Sequence, residues 1–248
     1  MSRDRPLALV TGGARRVGAA ICRELARAGC EVEFTYRSSA NEAEALAQEI
    51  GAEPHRLDLN DIEAAQRWAR DRAASWKRLD VLVHNASIYT PSPLGDLRPE
   101  DALRHYRVNA LAPLLLSASF APLLTRTAAL PGAAPCIVAM CDMHVTGRPR
   151  KGFAAYSMSK AALGEMVRTL TRELAPAVRV NGVAPGVVAF PESGYESDPE
   201  MQRRYLSRVP LGREGTPEDA AGAVRWLALD APYVTGEIVR VDGGRWLA

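Results

Sequence analysis

Short apolar runs alternate with longer segments of helical periodicity along nearly the whole chain of 248 residues. The apolar runs predict strands at 7–10, 32–36, 55–59, 81–83, 137–140, 178–183 and 237–241. The periodic segments predict helices at 17–28, 40–50, 100–124, 156–173 and 218–229, and a further helix that Asn60 and Glu63 would cap. Strands that alternate with helices pair in parallel and must be covered on both faces. The sequence therefore predicts one α/β domain over residues 1–248, doubly wound around a parallel sheet of about seven strands.

The charge balance and the cysteine pattern argue against several classes of function. Lysine and arginine number 31 against 29 aspartate and glutamate residues, so neither nucleic acid nor an anionic membrane is an expected partner. The apolar run near the N-terminus is too short for a signal peptide, and we expect no stretch able to span a bilayer. Cys22, Cys30, Cys136 and Cys141 lack the spacing of a metal or disulfide motif. We therefore expect no metal, buried thiols and a reducing, cytoplasmic location.

The segment between the first strand and the first helix is rich in glycine and arginine. Gly12 and Gly18 allow a tight turn, and the helix behind it offers free N–H groups and a positive dipole end to a pyrophosphate. Arg15 and Arg16 add positive charge at the same place. The glycine spacing differs from G-x-G-x-x-G, so an ordinary strand-to-helix turn is the alternative interpretation.

The residues after the second strand indicate which dinucleotide such a turn would hold. A carboxylate at this position binds the ribose hydroxyls of NAD, whereas an arginine accommodates the extra phosphate of NADP. The sequence here is Tyr36-Arg37-Ser38-Ser39, which offers one cation, several hydroxyl donors and no carboxylate. This pattern favours NADPH as the cofactor. The alternative is that Arg37 is a solvated surface charge.

Tyr156 and Lys160 lie four residues apart at the start of a periodic segment. On a helix these positions share one face, so the phenol and the ammonium can face one cleft. A phenol in water keeps its proton until about pH 10, and a nearby cation lowers that pKa. A tyrosine with a lowered pKa can exchange a proton with a substrate near neutral pH. The alternative is a solvated helix face, where this spacing arises by chance.

Several motifs occur in a fixed order along the chain. They are Thr11, Gly12 and Gly18 in the first turn, Asn85-Ala86-Ser87 after the fourth strand, Asn109, Tyr156 with Lys160, and Asn181 with Pro185-Gly186. Together they resemble the short-chain dehydrogenase/reductase family over nearly the whole chain. The resemblance implies a Rossmann-type fold, a nicotinamide cofactor and a homotetramer. It implies that Tyr156 donates a proton, that Lys160 holds the nicotinamide ribose, and that Asn109 anchors a relay water.

The resemblance also implies a set of cofactor contacts. These are Gly12, Arg15, Arg16, Val17, Tyr36, Arg37, Ser38, Ser39, Asp58, Leu59, Asn85, Ala86, Ser87, Tyr156, Lys160, Pro185 and Gly186. Some family members extend a C-terminal arginine into a partner's active site. The short C-terminus here, residues 242–248, does not allow such an arginine to be assigned.

Three departures from the general family pattern point to one branch. Arg16 stands where most members have a glycine, and Asp142 stands where most have the serine that holds the substrate carbonyl. The motif after the fourth strand is Asn-Ala-Ser and is followed by Ile88-Tyr89. These features resemble the pteridine reductases and related dihydropterin reductases. In that branch the aromatic matching Tyr89 stacks the pterin against the nicotinamide, and the residues matching Arg16, Ser87 and Asp142 contact pterin or cofactor.

One spacing does not match this branch. Asp142 lies one residue further from Tyr156 than its counterpart does, and Met143 stands at the branch's separation. An extra residue within 146–151 explains the difference most simply. Asp142 could otherwise cap a neighbouring loop or pair with Arg148.

The chemistry of pterin reduction agrees with the resemblance. A pterin is a flat, hydrogen-bonding heterocycle, so an aromatic wall gives stacking and polar groups fix its orientation. Reducing a ring C=N bond needs a hydride at carbon and a proton at nitrogen, and a buried Asp142 beside Tyr156 can help to supply that proton. The predicted substrate contacts are Arg16, Ser87, Tyr89, Asp142 and Tyr156. Tyr89 could instead be a packed loop aromatic.

The predicted function is therefore an NADPH-dependent reductase of a dihydropterin or of dihydrofolate. Residues 186–216 are predicted to be an irregular substrate loop, because they follow a strand and are rich in proline, glycine and charge. Two alternatives are an NADPH-dependent carbonyl reductase of the 3-oxoacyl type, in which Asp142 is incidental, and a non-catalytic NADPH-binding sensor.

Overall fold

The computed structural model describes residues 5–146, 150–190 and 197–248. Its strands are β1 (Leu7–Val10), β2 (Glu31–Tyr36), β3 (Glu53–Arg56), β4 (Val81–His84), β5 (Cys136–Met140), β6 (Arg179–Pro185) and β7 (Ile238–Val241). They form a seven-stranded sheet in the order β3-β2-β1-β4-β5-β6-β7, and every neighbouring pair runs parallel. The predicted Rossmann-type α/β fold is confirmed.

Helices cover both faces of this sheet. They are α1 (Arg16–Arg27), α2 (Ala40–Ile50), α3 (Ile62–Ser75), α4 (Pro99–Tyr106), α5 (Ala112–Ala128), α6 (Ala154–Leu174), α7 (Pro199–Leu206) and α8 (Pro217–Arg225). One hydrophobic cluster joins the sheet to α3, α5 and α6. A second cluster joins the opposite face to α1, α2 and α8.

The central strands are apolar at every position because both of their faces are buried. In β1, Leu9 belongs to the first cluster and Val10 to the second, and in β4 Leu82 and Val83 alternate in the same way. Each of these four side chains is fully buried, and such burial contributes about 1.5–3 kcal/mol per residue. This two-sided burial is why strands in such a sheet appear in the sequence as unbroken apolar runs.

Two predictions about the ends of elements need correction. The third strand begins at Glu53 rather than at residue 55, because Glu53 pairs in register with Glu33 of β2. Helix α3 is capped by Asp61, whose side chain accepts a hydrogen bond from the Ala64 N–H at 3.0 Å, so the predicted pair of Asn60 and Glu63 is wrong.

The stretch predicted to be an irregular substrate loop contains the helix α7. The Asp198 side chain caps this helix by accepting a hydrogen bond from the Met201 N–H at 2.8 Å. Residues 191–196 of the predicted loop lie outside the described residues. The irregular part of this stretch is therefore shorter than the prediction.

Helices α4 and α5 join through a π-helical turn, Arg107–Leu111, into one helical stretch, Pro99–Ala128. This stretch is long and apolar enough to cross a membrane by length and composition, which contradicts the expectation that no stretch would be. Its most apolar window is 56% buried inside the domain, where Leu116, Phe120 and Leu123 pack into the first cluster. Packing in the core therefore accounts for its apolar character.

The sheet order places a crevice at one edge of the sheet. Strand β1 lies between β2 and β4, so successive crossovers leave it in opposite directions. In doubly wound folds the ligand binds outside the carboxyl ends of the strands at such a switch point. The turn after β1 and the segment after β4 meet at this position.

Candidate active site

A cavity of about 670 Å³ lies at the carboxyl ends of the strands. All of the site residues predicted from sequence, except Asn109, line it: Gly12, Arg15, Arg16, Val17, Tyr36, Arg37, Ser38, Ser39, Asp58, Leu59, Asn85, Ala86, Ser87, Tyr89, Asp142, Tyr156, Lys160, Pro185 and Gly186. These residues come from distant parts of the chain. The parallel sheet brings them to one edge, because each of them follows or lies beside the end of a strand.

The turn after β1 is held against the end of β4 by a compact set of hydrogen bonds. The Asn85 side-chain amide donates to the carbonyls of Thr11 at 3.1 Å and Gly12 at 2.9 Å. The Thr11 hydroxyl in turn accepts hydrogen bonds from the N–H groups of Asn85 and Ala86. Gly12 has a φ of +66°, and a Cβ there would lie 2.9 Å from the Ala86 Cα. A Cβ on Gly18 would collide with the Gly12 carbonyl, so this close approach requires glycine at both positions.

Arg16 adopts a left-handed backbone conformation with a φ of +51°. This φ explains why glycine is common at the position in the family, since a side chain there costs of order 1 kcal/mol or more. The guanidinium of Arg16 reaches across the cavity and donates a hydrogen bond to the Ala189 carbonyl at 3.0 Å. Arg16 therefore connects the first turn with the segment after β6.

The end of the cavity beside β2 is positively charged. Arg37 is exposed, and no acidic group of the described residues lies within ion-pair distance of its guanidinium. Ser38 and Ser39 line the cavity next to it. Asp58 lines it as well, but its Oδ1 accepts a hydrogen bond from the Asn60 N–H at 2.9 Å. This end is suited to an anionic group such as a phosphate.

The Tyr156 hydroxyl donates a hydrogen bond of 2.6 Å to Oδ2 of Asp142. The other carboxylate oxygen, Oδ1, accepts a hydrogen bond of 2.7 Å from the His144 N–H. Asp142 thus caps a neighbouring loop, as one alternative proposed, and contacts the tyrosine as well. Arg148, its other suggested partner, lies outside the described residues. Despite the extra residue in the sequence, Asp142 reaches Tyr156, whereas Met143 is fully buried.

The phenol of Tyr156 is held in its protonated form. Burial and the neighbouring Asp142 carboxylate raise its pKa well above the ordinary value of 10.0. The sequence predicted a pKa lowered by Lys160, and that prediction has the wrong sign for this structure. The Lys160 ammonium lies 6.0 Å from the centre of the Tyr156 ring and donates a hydrogen bond of 2.6 Å to the Met140 carbonyl. Burial lowers the pKa of Lys160.

Asn109 lies beneath the cavity, in the π-helical turn, and is fully buried. Its Oδ1 accepts hydrogen bonds from the Ile88 N–H at 2.9 Å and the Ser87 hydroxyl at 3.1 Å. Its amide donates to the Ile88 carbonyl at 3.0 Å and the Ser159 hydroxyl at 3.0 Å. An asparagine amide has two donors and about two acceptor sites, so these contacts use its whole capacity. The side chain therefore joins the segment after β4 to α6, and anchoring a relay water would require it to give up a protein contact.

Tyr89 belongs to a layered cluster that the sequence did not reveal. Its ring stacks on Phe153, with centroids 4.7 Å apart and planes inclined by 15°, and meets the Tyr156 ring edge-on at 4.8 Å. The Arg150 guanidinium lies 4.8 Å from the Phe153 ring centre and 5.6 Å from that of Tyr89. We call Tyr89, Phe153 and Arg150 the aromatic wall. Tyr89 is packed by Phe153 but keeps 40% of its surface exposed, and burial of the remainder raises its pKa to about 12.

Tyr205 and Arg245 also line the cavity. The Tyr205 hydroxyl, on α7, accepts a hydrogen bond from the Val187 N–H at 3.2 Å, and burial raises the pKa of its phenol. The Arg245 guanidinium lies 5.3 Å from the Tyr205 ring centre and donates to the Ala248 carbonyl at 3.2 Å. A C-terminal arginine therefore does approach the cavity, and it is this chain's own. The sequence signal for it was the position of Arg245 directly after the glycine pair, Gly243-Gly244, that follows the last strand.

The four cysteines and one cluster of ionisable groups at the sheet edge have local explanations. All four cysteines are buried and unpaired, and burial raises the pKa of each thiol. Glu33, Glu53 and His55 form a cluster at the sheet edge, in which Nε2 of His55 lies 2.6 Å from a carboxylate oxygen of Glu33. A buried hydrogen-bonded pair accounts for this cluster.

The lining residues fit a dinucleotide cofactor. Gly12 and Gly18 allow the tight turn after β1, and the N-terminus of α1 directs its free N–H groups to the cavity, where a pyrophosphate can accept hydrogen bonds from them. Lys160 uses one of its three ammonium hydrogens for Met140, which leaves two for a ligand.

Comparison with known proteins identifies the family to which this site belongs. A family model described as enoyl-(acyl carrier protein) reductase matches residues 12–245. Pteridine reductase 1 of Leishmania tarentolae is 33% identical over 284 aligned residues, covering 98% of this chain and 97% of that protein. Dihydromonapterin reductase of Enterobacter sp. is 32% identical, with 98% and 97% covered. The 3-oxoacyl-[acyl-carrier-protein] reductase of Synechocystis sp. is 32% identical, with 96% of each chain covered.

These relatives carry different named activities, so their similarity establishes a family rather than a substrate. The sheet order, the glycine turn and the paired Tyr156 and Lys160 agree with the same family. The chain is an oxidoreductase that belongs to the short-chain dehydrogenase/reductase family.

Proposed function

We propose that this protein is an NADPH-dependent reductase of pteridines such as a dihydropterin or dihydrofolate. The observation that carries the proposal is the hydrogen bond of 2.6 Å between Tyr156 and Asp142, beside the exposed face of Tyr89. Two of the relatives are named for pterin substrates, which supports the same branch. The reaction would add a hydride to the carbon of a ring C=N bond and a proton to its nitrogen.

The cofactor would supply the hydride. The turn at Gly12 and the N-terminus of α1 would hold its pyrophosphate, and Arg37 with the two serines after it would hold the 2′-phosphate. Lys160 would donate its remaining ammonium hydrogens to the nicotinamide ribose. Because the guanidinium of Arg37 is exposed and not engaged by an acidic group of the described chain, it is free to bind a phosphate.

Tyr156 would deliver the proton. As the hydride adds to carbon, the electron pair of the C=N bond moves to nitrogen, which then takes the phenolic proton. In the ligand-free protein that proton lies in the hydrogen bond to Asp142, so the hydroxyl would turn from Oδ2 of Asp142 to the substrate nitrogen before the transfer. Solvent would return a proton to the phenol after the product leaves.

The aromatic wall would bind the flat face of the pterin. Phe153 and Arg150 support the ring of Tyr89 from one side, so the ring is held in place before the substrate arrives. Ser87 and Arg16 carry hydroxyl and guanidinium groups that can hydrogen-bond the heteroatoms of the pterin edge. Tyr89 and Asp142 thus have roles in pterin reduction that a ketone substrate would not require.

The two rival functions make different predictions. One relative is named as a 3-oxoacyl reductase, but in such a reaction the hydrogen bond between Asp142 and Tyr156 would have no role. A non-catalytic sensor would not need Tyr156 and Lys160 side by side in the cavity. Both rivals would retain NADPH binding, so binding alone does not distinguish them.

The test is NADPH oxidation by the purified protein against a panel of dihydropterins, dihydrofolate and 3-oxo ketones. We expect the highest kcat/KM with a pterin or folate, and we expect Asp142→Ser to lose that activity rather than preserve it. Reduction of ketones but no pterin, or an Asp142→Ser variant that matches the parent, would overturn the pteridine assignment. Binding of NADPH with no turnover on any substrate would favour the sensor.

We also propose a cytoplasmic homotetramer. The free buried cysteines agree with a reducing compartment, and α4 and α5 expose Leu103, Tyr106 and Leu114, whose exposures are 51%, 46% and 39%. Light scattering after size exclusion tests the assembly, and a monomer at micromolar concentration would contradict it.

A further inference from the structure

Ser92 is a buried residue in an otherwise exposed segment. It lies between Pro91 and Pro93, and both prolines are exposed whereas Ser92 is only 4% exposed. Proline has no N–H and restricts the residue before it to extended conformations. In the tripeptide Pro91-Ser92-Pro93, the backbone N–H of Ser92 is therefore the single main-chain donor. A short, stiff segment of this kind presents one polar residue inward.

The backbone N–H and the side-chain hydroxyl of Ser92 both form hydrogen bonds with the segment around the start of α6. Its N–H donates a hydrogen bond of 2.6 Å to the Gly152 carbonyl, and Ser92 pairs with Phe153 as an isolated parallel bridge. Its hydroxyl accepts a hydrogen bond of 3.1 Å from the Ala155 N–H, in the first turn of α6. The residue at the N-cap position, Phe153, provides no side-chain cap. Ser92 thus caps from a distant segment the helix that carries Tyr156.

These contacts also connect the two halves of the aromatic wall. Tyr89 lies on the segment of Ser92, and Phe153 and Arg150 lie on the segment before α6. The ring stack of Tyr89 on Phe153 is therefore the third link between the same two segments. Ser92 itself is absent from the residues that line the cavity, so it would act through its neighbours.

We propose that Ser92 is a positioning residue that fixes Tyr89 relative to Tyr156. In this way it would set the width of the gap beside Tyr89 in which a pterin would stack. This inference rests on the proposed pteridine reduction for its kinetic consequence, but not for its structural one. Loss of the hydroxyl frees the first turn of α6 and lets the segment carrying Tyr89 move away from Tyr156.

The first test is Ser92→Ala, measured by steady-state kinetics on a dihydropterin. We expect the KM for the pterin to rise about threefold to tenfold, as loss of one helix cap allows, with kcat within about threefold of the parent. The dissociation constant for NADPH should be unchanged, because the Gly12 turn and Arg37 lie elsewhere. An unchanged pterin KM would overturn the proposal.

Thr127→Val is the matched control. The Thr127 hydroxyl also accepts a hydrogen bond from a distant backbone N–H, that of Leu79, at 3.0 Å and in a fully buried site. Thr127 lies on the same helical stretch as Asn109 but roughly 27 Å further along the axis. The control should lose stability like Ser92→Ala and keep the parent's KM. A rise in KM in both variants would mean that Ser92 has a merely structural role.

The double variant of Ser92 and Tyr89 tests whether Ser92 acts through Tyr89. If Ser92 acts by holding Tyr89, then Ser92→Ala in a Tyr89→Ala background should raise the pterin KM by less than twofold, a non-additive result. Full additivity of the two changes would contradict the proposal.

Hydrogen exchange tests the role of Ser92 without any substrate. In Ser92→Ala, peptides covering residues 88–92 and 152–156 should exchange at least several-fold faster than in the parent, and they should not do so in Thr127→Val. If the parent reduces no pterin, the proposed function fails while this measurement still decides whether Ser92 holds the two segments together. Unchanged exchange in both peptides would refute the positioning role.

Discussion

Replacing Tyr156 by phenylalanine isolates the contribution of the phenolic proton to turnover from that of the ring. The ring is 8% exposed and makes an edge-on contact with Tyr89 at 4.8 Å, which phenylalanine preserves. The change removes only the hydroxyl and its hydrogen bond to Asp142. Proton transfer by a positioned group contributes about two to four orders of magnitude in rate, or about 2.7–5.5 kcal/mol of barrier. We expect kcat to fall by that factor while the dissociation constant for NADPH stays within about twofold of the parent.

The same variant has a measurable effect on stability. A hydrogen bond to a charged group contributes about 1.5–3 kcal/mol. The lower end applies here, because Asp142 is partly exposed and water can replace the lost donor. About 1.5 kcal/mol corresponds to a fall in Tm of about 3–6 °C for a chain of this size. The loss of turnover is thus much larger than the loss of folded protein can explain.

The assay is single-turnover and steady-state oxidation of NADPH by the parent and by Tyr156→Phe, with thermal unfolding in parallel. Tyr233→Phe is the control, since Tyr233 is fully exposed and its hydroxyl should affect neither turnover nor Tm. Turnover by Tyr156→Phe within about twofold of the parent would refute the assignment of Tyr156 as the proton donor.

Three further predictions follow from the cavity. Arg37→Asp should reverse part of a preference for NADPH over NADH, since a charge-assisted phosphate contact is worth about 1.5–3 kcal/mol, and equal kcat/KM with both cofactors in the parent would contradict the cofactor assignment. Tyr89→Ala should raise the pterin KM by the loss of a stack worth about 0.5–1.5 kcal/mol beyond buried area, and a parallel rise in the NADPH dissociation constant would instead indicate general damage to the site. In the ligand-free protein, the difference in phenolate absorbance between the parent and Tyr156→Phe should appear only above pH 10.0, because burial and Asp142 raise the pKa of Tyr156. A difference that appears near neutral pH would show instead that Lys160 lowers this pKa.

The fold could be predicted because its determinants are local. In β1 and β4 each buried strand is a short apolar run, and helical periodicity separates one run from the next. The errors occurred where local chemistry is ambiguous. Asn60 and Asp61 are both good capping residues, and only the backbone geometry decides that Asp61 accepts the hydrogen bond from Ala64. Helix α7 was missed because it is only eight residues long and has no buried residue, so Met201 and Tyr205 are too few to establish a helical period.

The candidate site also has features that the sequence predicts and features that it does not. Residues that follow strands, such as Gly12, Arg37 and Asn85, could be placed in one cavity by topology alone. The pairing of Tyr89 with Phe153 could not, because it joins segments far apart in sequence and depends on the path of two loops. The sign of the Tyr156 pKa shift could not be predicted either. Sequence spacing shows that Lys160 is near, but it reveals neither the burial of the phenol nor its contact with Asp142, and these raise the pKa.

The raised pKa of Tyr156 bears on the direction in which the site works best. Oxidation of an alcohol needs a phenolate to accept a proton at neutral pH, and both burial and the Asp142 carboxylate disfavour that phenolate. Reduction begins with the protonated phenol, the form that this environment favours. A weak acid is sufficient when a hydride adds to a C=N bond, since the ring nitrogen that receives the electron pair becomes far more basic than a phenolate. A ketone would leave an alkoxide, which is also more basic than a phenolate, but its oxygen needs a hydrogen-bond donor beside Tyr156. A serine hydroxyl at the position of Asp142 can donate such a bond, whereas a carboxylate only accepts. In the pterin reduction that we propose, burial and the carboxylate of Asp142 therefore keep Tyr156 protonated until the nitrogen becomes basic, whereas a carbonyl reductase with the same carboxylate would lack the donor that holds its substrate.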